Sequence, residues 1–500
     1  MFNGILSILI FLPLLGALVL LVIPKNISVR FFVLVIFLVE LILSFWVFLG
    51  YDITSSTRFQ SQEMLSWISF DNFKISYHLG VDGLSAPMVL LTGLLGFCAV
   101  IASWKIKLRV REYFIWLLIL QTSIMGVFTS LDMFLFFLFW ELELIPMYFL
   151  ISIWGSGRKE YSAMKFLLFT FIGSAFMLVS ILSIGLAAGG TFNLVTLLEQ
   201  GMQNTTLLLP IALVFWFFVI GFSIKLPIWP VHGWLPDAHT DAPTAVSIML
   251  AGVLLKMGGY GLIRIVAGVF PELIIDYSNI LAIFAVITVI YGAILTLRQT
   301  DLKRLIAFSS VSHMGLVLLG IAVSVSTAKV ALGFSGAAMQ MFTHGTITGL
   351  LFLSVGLMYD KLHTRYIPDL GGLVVRMPVL TISFVIAGLA SLGLPGLSGF
   401  VSELLIFLGA FTSFPWHTGI AALGIIFAAG YILWVIQRVF FGPEKDRFKN
   451  VSDVNWLEMV PLVLLIISIL IVGIFPFYLI ELFEHGLSPI VNAITNLGGN

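Results

Sequence analysis

The chain has one cysteine in 500 residues, Cys98. A single thiol closes no internal disulfide and holds no iron–sulfur cluster, which takes about four cysteines. Charge is scarce as well. Charged residues make up 10% of the chain, and 25 basic residues cancel 25 acidic ones. A net charge of zero gives no reason to expect nucleic acid as a partner. No glycine-rich dinucleotide fingerprint follows a strand, and P-loop and c-type haem motifs are missing. If electrons are involved, other chains carry them. What remains is apolar: 60% of residues are hydrophobic and the mean hydropathy is +1.11. That excludes a soluble globular protein. The opening MFNGILSILIFLPLLGALVLLVIPKN lacks a basic first region and a small-residue cleavage site. It reads as a first transmembrane helix and not as a removed leader.

A membrane-spanning helix needs about 20 apolar residues. The sequence divides into about fourteen such stretches, predicting an all-α polytopic membrane protein. The seventh, 208–239, and the twelfth, 374–412, carry helix breakers. The eighth is read at 243–268 and the fourteenth at 456–482, while the eleventh, 329–359, is long enough to tilt or project. Of the 25 Lys and Arg, 19 fall after odd-numbered spans, among them Lys25, Lys105, Lys303 and Lys361. Arg58, Lys74, Arg264 and Lys329 fall on the other side. Basic loops stay cytoplasmic. Both termini are therefore expected outside, in a bacterial inner membrane.

The breaks suggest a repeat. Pro227 and Pro230 follow Lys225, and LGLPGLSG precedes Glu403. Proline removes a backbone hydrogen bond, and in lipid a break survives only where protein or water answers the freed groups. Paired breaks point to a transporter's ion site. Lys225 and Glu403 lie 178 residues apart, and Glu141 and His313 lie 172 apart. Each pair is five helices apart, so the second copy enters from the opposite side. Two inverted five-helix repeats follow, helices 4–8 and 9–13. The expected division is 1–111 for the first three helices with an external loop and 112–270 for a proton-uptake half-channel. The second repeat, 271–442, is the proton-exit half-channel, and 443–500 holds helix 14 and a tail.

Six titratable residues sit near the middles of apolar stretches: Glu141, Lys225, Lys256, His313, His344 and Glu403. A charge at the bilayer centre costs roughly 2.5–3.5 kcal/mol on insertion scales, so each is a functional candidate. Glu141 is read as the partner of Lys225, because an acid beside a lysine favours both charges and its loss frees the lysine proton. The alternative is a static pair joining two helices. Lys256, followed by MGGYG, is a central proton carrier beside glycines that permit close packing. His313 and His344 suit a relay; either is otherwise a hydrogen-bonded core histidine. Gln340 extends a hydrated path, and Glu403 is the exit carrier. Glu143 lies about 200° around a helix from Glu141 and either acts directly or faces another helix or subunit. Glu40 lies outside both repeats and is read as a contact to a neighbour. His232 is a possible accessory. Asp237, His239 and Asp241 either line a proton entrance or are solvated loop residues. Asp301, Lys303 and Arg304 are read as anchors at the membrane edge. No ligand pattern suggests a metal.

The stretch KLPIWPVHGWLPDAHTDAPTAVSIMLAGVLLKMGGYGLIRI closely resembles the core signature of the antiporter-like subunits of respiratory complex I. FFLFWELELIPMYFLISIWG, QTDLKRLIAFSSVSHMG, MQMFTHG and LPGLSGFVSELLIFLGAF are similar to further motifs of that family, in order and spacing. GVDGLSAPMVLLTG, with Asp82 and Gly83, resembles its lead into helix 3. The chain resembles the branch with glutamate, not lysine, on the second broken helix. WELEL, with Glu143, is similar to the photosynthetic version. The resemblance implies a Glu141–Lys225 pair, a central carrier at Lys256 and an outlet at Glu403. It implies a proton-translocating membrane-arm subunit of NADH-quinone oxidoreductase, driven by redox chemistry in other subunits. NADH or ferredoxin, FMN, iron–sulfur clusters and quinone would belong to those partners. Neighbouring antiporter-like subunits and the lipid bilayer are expected partners too. The alternatives are a subunit of a multi-subunit sodium/proton antiporter, and a structural spacer.

Overall fold

The structure is a computed structural model that describes residues 4–22, 28–70, 73–200, 207–323 and 327–498. Lys25, counted above with the basic loops, lies outside them. Among the described residues twelve helices are long and apolar enough to cross a membrane. Two further crossings are made of half-helices: Ile211–Lys225 with Leu235–Asp241, and Pro378–Ser391 with Ser398–Ser413. Together they match the expected fourteen. Burial sorts the spans. The eighth (Thr244–Ala267) and eleventh (Ala328–Leu362) are enclosed through their apolar middles, and the tenth (Leu302–Ile321) is nearly so. These three carry Lys256, His344 and His313. The first (Ile5–Val22), thirteenth (Pro415–Val439) and fourteenth (Trp456–Ile474) turn apolar side chains such as Leu15, Ile426 and Ile471 outward. A helix apolar on every side tolerates either setting.

The inverted repeat has a backbone signature. Asp132 caps the fifth span, accepting from Phe134 N at 3.0 Å and Leu135 N at 3.2 Å. Asp301 caps the tenth, accepting from Arg304 N at 3.1 Å. Each cap sits in a short antiparallel bridge, Asp132 with Asn193 and Asp301 with Tyr366. The flanking bonds correspond as well. Leu194 N donates to Leu131 O and Met133 N to Phe192 O. In the second copy Ile367 N donates to Thr300 O and Leu302 N to Arg365 O. The fifth span and the tenth run in opposite directions, so the two bridges lie at opposite faces.

Four local features differ from the expectation. The external loop folds as a hairpin, Gln60–Phe70 against Phe73–Val81, antiparallel. The fifth span is interrupted at Glu143, between Met133–Leu142 and Leu144–Trp154; Pro146 has no N–H for the Leu142 carbonyl. The eighth span carries wide π-helical turns at Leu250–Leu254 and Leu262–Ala267, on either side of Lys256. Finally, the fourteenth span ends at Ile474, and a separate helix runs from Phe477 to Gly498. Pro476 forces Phe475 out of the helical region. The last helix docks at Gly83, where an added Cβ would lie 2.8 Å from Gly486 N.

Arg264, expected in an outer loop, is instead buried on the eighth span. Its guanidinium grips Asp82, with one contact at 2.6 Å. Asp82 also accepts from Leu84 N at 3.1 Å and Ser85 N at 3.0 Å, so it starts the third span (Ser85–Ala102). Burial works against the Asp82 charge, but Arg264 outweighs it and holds the carboxyl below its usual range. The stabilisation is thus present above the ordinary aspartate pKa and is lost as pH falls through the lowered value. Removing one partner of a buried pair strands the other charge, at a cost of about 3–5 kcal/mol. Arg264→Met should therefore lower the thermal stability of the assembled complex more than Arg264→Met with Asp82→Asn. Equal losses in thermal melts would mean that the pair contributes nothing beyond packing.

Candidate proton-transfer site

The seventh span breaks at Lys225. Neither Pro227 nor Pro230 can donate a backbone hydrogen bond. The indole of Trp234 answers the break by donating to Ile224 O at 2.8 Å. The eighth span packs against this opening. A Cβ at Gly258 would lie 2.6 Å from Leu226 N and from Phe222 O, so only glycine permits the approach. The elements carrying Lys225 and Lys256 are thereby pressed together.

Lys225 is 1% exposed and forms an ion pair with Glu143. The rings of Trp140 and Phe166 lie 5.1 Å and 5.6 Å from its Nζ. The expected direct pair with Glu141 is not what forms. Glu141 is half-buried, on the side of Ser174, and acts on Lys225 through longer-range attraction. The two acids do face different ways, as their spacing predicted. Spacing alone did not say which of them faces the seventh span.

A second cluster runs through the centre. Lys256 Nζ lies 2.8 Å from His344 Nδ1 and also donates to Ala251 O, five residues back in the wide turn. The His344 and His313 rings are 5.6 Å apart. His313 Nδ1 lies 3.3 Å from Glu403 Oε1, and its Nε2 is 3.2 Å from Ser391 Oγ. Lys256, His344, His313 and Glu403 thus form one line. Glu403, with no basic residue near it in sequence, meets the His313 imidazole in space. Gln340 and Thr343 both bond Ser402, beside Glu403; the Thr343 contact is 3.0 Å.

The accessory residues divide. Asp237 pairs with Lys165 at 2.7 Å and with Arg304 at 3.6 Å, and Asp241 accepts from Ser162 at 2.6 Å. Both acids are buried and partnered, not solvated. His232 stands edge-on to Tyr291 at 5.1 Å, outside both clusters. His239 is fully buried and stacked on Phe352 at 4.6 Å. Glu40 faces no neighbour. It is fully buried and accepts from Gln121 Nε2 at 3.0 Å. Lys303, read as a membrane-edge anchor, is 4% exposed and points inward. Its place in TDLKR marks a helix start but not the direction in which the side chain points.

The pairing has a testable consequence. Glu143→Gln removes the direct counter-charge of Lys225, whereas Glu141→Gln removes only a longer-range one. Hydrogen bonds to charged groups are worth about 1.5–3 kcal/mol, about a tenfold to hundredfold effect on an equilibrium. Proton transport by the assembled protein should fall further with Glu143→Gln than with Glu141→Gln. The reverse order, measured in the same vesicles, would place the working pair at Glu141.

Comparison with known proteins bears on all of these residues. The family model for the transmembrane region of NADH:quinone oxidoreductase and Mrp antiporter proteins matches residues 130–428. The chain is 41% identical to NAD(P)H-quinone oxidoreductase chain 4 2 of Thermosynechococcus vestitus, over 94% of this chain and 89% of that one. It is 39% identical to NADH-quinone oxidoreductase subunit M of Rhodobacter capsulatus, over 98% and 96% of the two chains. A chain in the structure of respiratory complex I from Thermus thermophilus with bound NADH superimposes with a TM-score of 0.86 at 28% identity. That match covers 99% of this chain and 100% of the other. The matched segment contains all six central titratable residues, and the chain belongs to the NADH:quinone oxidoreductase/Mrp antiporter membrane family.

Proposed function

We propose that this chain is a proton-translocating subunit in the membrane arm of a quinone-reducing complex. The observation that carries the reading is the row Lys256–His344–His313–Glu403 through the enclosed centre of the molecule, in polar contact at its two outer links and with the His344 and His313 rings 5.6 Å apart between them. Lysine, imidazole and carboxyl each exchange a proton without changing the backbone, and neighbours within hydrogen-bond reach exchange it fastest. In this reading the basic face lies in the cytoplasm, as the positive-inside rule favours, with both termini outside and the chain in a bacterial inner membrane. The first repeat then takes protons up and the second releases them through Glu403.

The Glu143–Lys225 pair is the control element of this reading. While the acid is near, the lysine keeps its proton; when the acid turns away, desolvation drives the proton off. The energy comes from redox chemistry elsewhere. The lone Cys98 cannot hold an iron–sulfur cluster. In this reading NADH or ferredoxin, FMN, iron–sulfur clusters and quinone belong to other subunits. Adjacent antiporter-like subunits pass the charge change along.

The test is quinone-linked proton pumping in vesicles with Lys256→Ala, with quinone reduction and complex assembly measured alongside. The expected outcome is an assembled complex whose pumping through this chain is lost, with quinone reduction lowered in step. Full pumping by an assembled Lys256→Ala complex would remove the central line from the proton path.

A further inference from the structure

A cavity of about 190 Å³ opens on the basic face, where the two repeats meet. Its lining includes Lys105, Asp360, Arg365, Lys303, Ala242 and Thr244. Exposure falls along it. The Lys105 side chain is 49% exposed, Asp360 33% and Arg365 16%. Lys303, at 4%, marks its deep end. The volume suits several water molecules, and the lining offers the polar partners that water requires.

Lys303 is an unusual cation. It lies on the tenth span and donates across the repeat boundary to Ala242 O at 2.6 Å. Ser247 Oγ is 3.4 Å from its Nζ, and Ser247 in turn donates to His239 O at 3.2 Å. These partners are neutral. Among the described residues no carboxylate forms an ion pair with Lys303; Asp301, Asp241 and Asp360 act on it only at longer range. An anchor would be expected to hold a carboxylate, as Arg264 does. The next titratable group inward is His239. Both of its ring nitrogens lack a protein partner among the described residues. A buried polar atom left unpaired costs about 1–3 kcal/mol, so an imidazole with two such atoms calls for a reason. His239 lies within electrostatic range of both Lys303 and Lys256. It also acts on His344.

We propose that protons are taken up through this cavity, with Lys303 receiving them from water and His239 handing them to Lys256 and His344. A proton from cavity water adds to the Lys303 amine. The ammonium turns past Ser247 and gives that proton to a ring nitrogen of His239. The imidazolium then gives it to the Lys256 amine and returns to its neutral form. Each step moves one proton from one named nitrogen to the next, and no electrons are exchanged. The inlet thus lies at the joint between the repeats. This inference rests on the proton-translocating reading above.

The test separates a proton carrier from a fixed charge. Arginine keeps the charge and most of the reach of lysine but does not give up its proton in a protein. Lys303→Arg and Lys303→Met are measured in the assembled complex for quinone-linked pumping. Both should lose pumping about tenfold or more, since a positioned proton-transfer group is worth about 10²–10⁴ in rate. Normal pumping by Lys303→Arg would make Lys303 a structural cation and overturn the proposal. If Lys256→Ala loses pumping while Lys303→Arg keeps it, the inlet is wrong and the central line stands. If Lys256→Ala pumps normally, the line itself fails. The second arm needs no pumping. Cys98 is buried and is the only native thiol of the chain. Thr244→Cys in the intact complex should react with a charged, membrane-impermeant thiol reagent from the cytoplasmic side only. Failure to react from that side would close the cavity as a water route and overturn the proposal, even if the Lys303 variants do not assemble.

Discussion

Inside a bilayer, every charge and every freed backbone group must be answered by the protein itself. That constraint explains why breaks and charges coincide here. The seventh span ends at Lys225, and the freed Ile224 carbonyl receives the Trp234 indole. In the wide turn before Lys256, the Ala251 carbonyl accepts from the lysine ammonium. A side chain that supplies hydrogen bonds to broken backbone gains a partner that is not a counter-charge. It can then hold or release a proton with little rearrangement of the fold. The cost of breaking a helix in lipid and the cost of burying an amine offset one another at the same place.

The cations sort by what answers them. Arg264 grips Asp82 with two donors and joins the eighth span to the lead of the third. Arginine is charged permanently and its fork matches a carboxylate. That pair therefore fixes position and takes no part in proton exchange. Lys225 has an acid, Glu143, in direct contact. Lys256 and Lys303 have carbonyl, hydroxyl or imidazole partners and, among the described residues, no carboxylate in contact. A lysine with neutral partners is one whose proton is most easily moved. The series runs from a permanent charge with a carboxylate, through a lysine paired to an acid, to lysines held by neutral groups.

Much of this was legible in the sequence. Long apolar stretches gave the crossings, prolines gave the two broken spans, and single charges within apolar runs marked the central residues. Such signals are local, and hydrocarbon makes them stringent. What depended on rotation about a helix axis was not legible. Glu141 and Glu143 stand in nearly identical sequence surroundings, and only packing decides that Glu143 meets Lys225. The partnership of Asp82 with Arg264 spans 182 residues. Lys303 looked like an edge residue because it stands in the first turn of its helix, yet it turns into the joint between repeats. The fourteenth span was read too long because Phe475 and Pro476 interrupt an apolar run whose composition barely changes. The hairpin lay in a loop whose strands are paired outside the membrane, where apolar length carries no information.

The two repeats share a plan but reverse its chemistry. In the first, the broken span carries the base, Lys225, and the interrupted fifth span supplies the acid, Glu143. In the second, the broken span carries the acid, Glu403, and the tenth span supplies the base, His313. Each couple is an acid and a base that can share one proton, so neither forces a net charge on the hydrocarbon. They differ in which member sits at the break, the point where backbone is open. A base at one opening favours receiving a proton, and an acid at the other favours releasing one. Inversion of the repeat turns those openings toward opposite faces, and the line from Lys256 to Glu403 lies between them. Direction across the membrane can thus arise from exchanging an acid for a base within one repeated architecture.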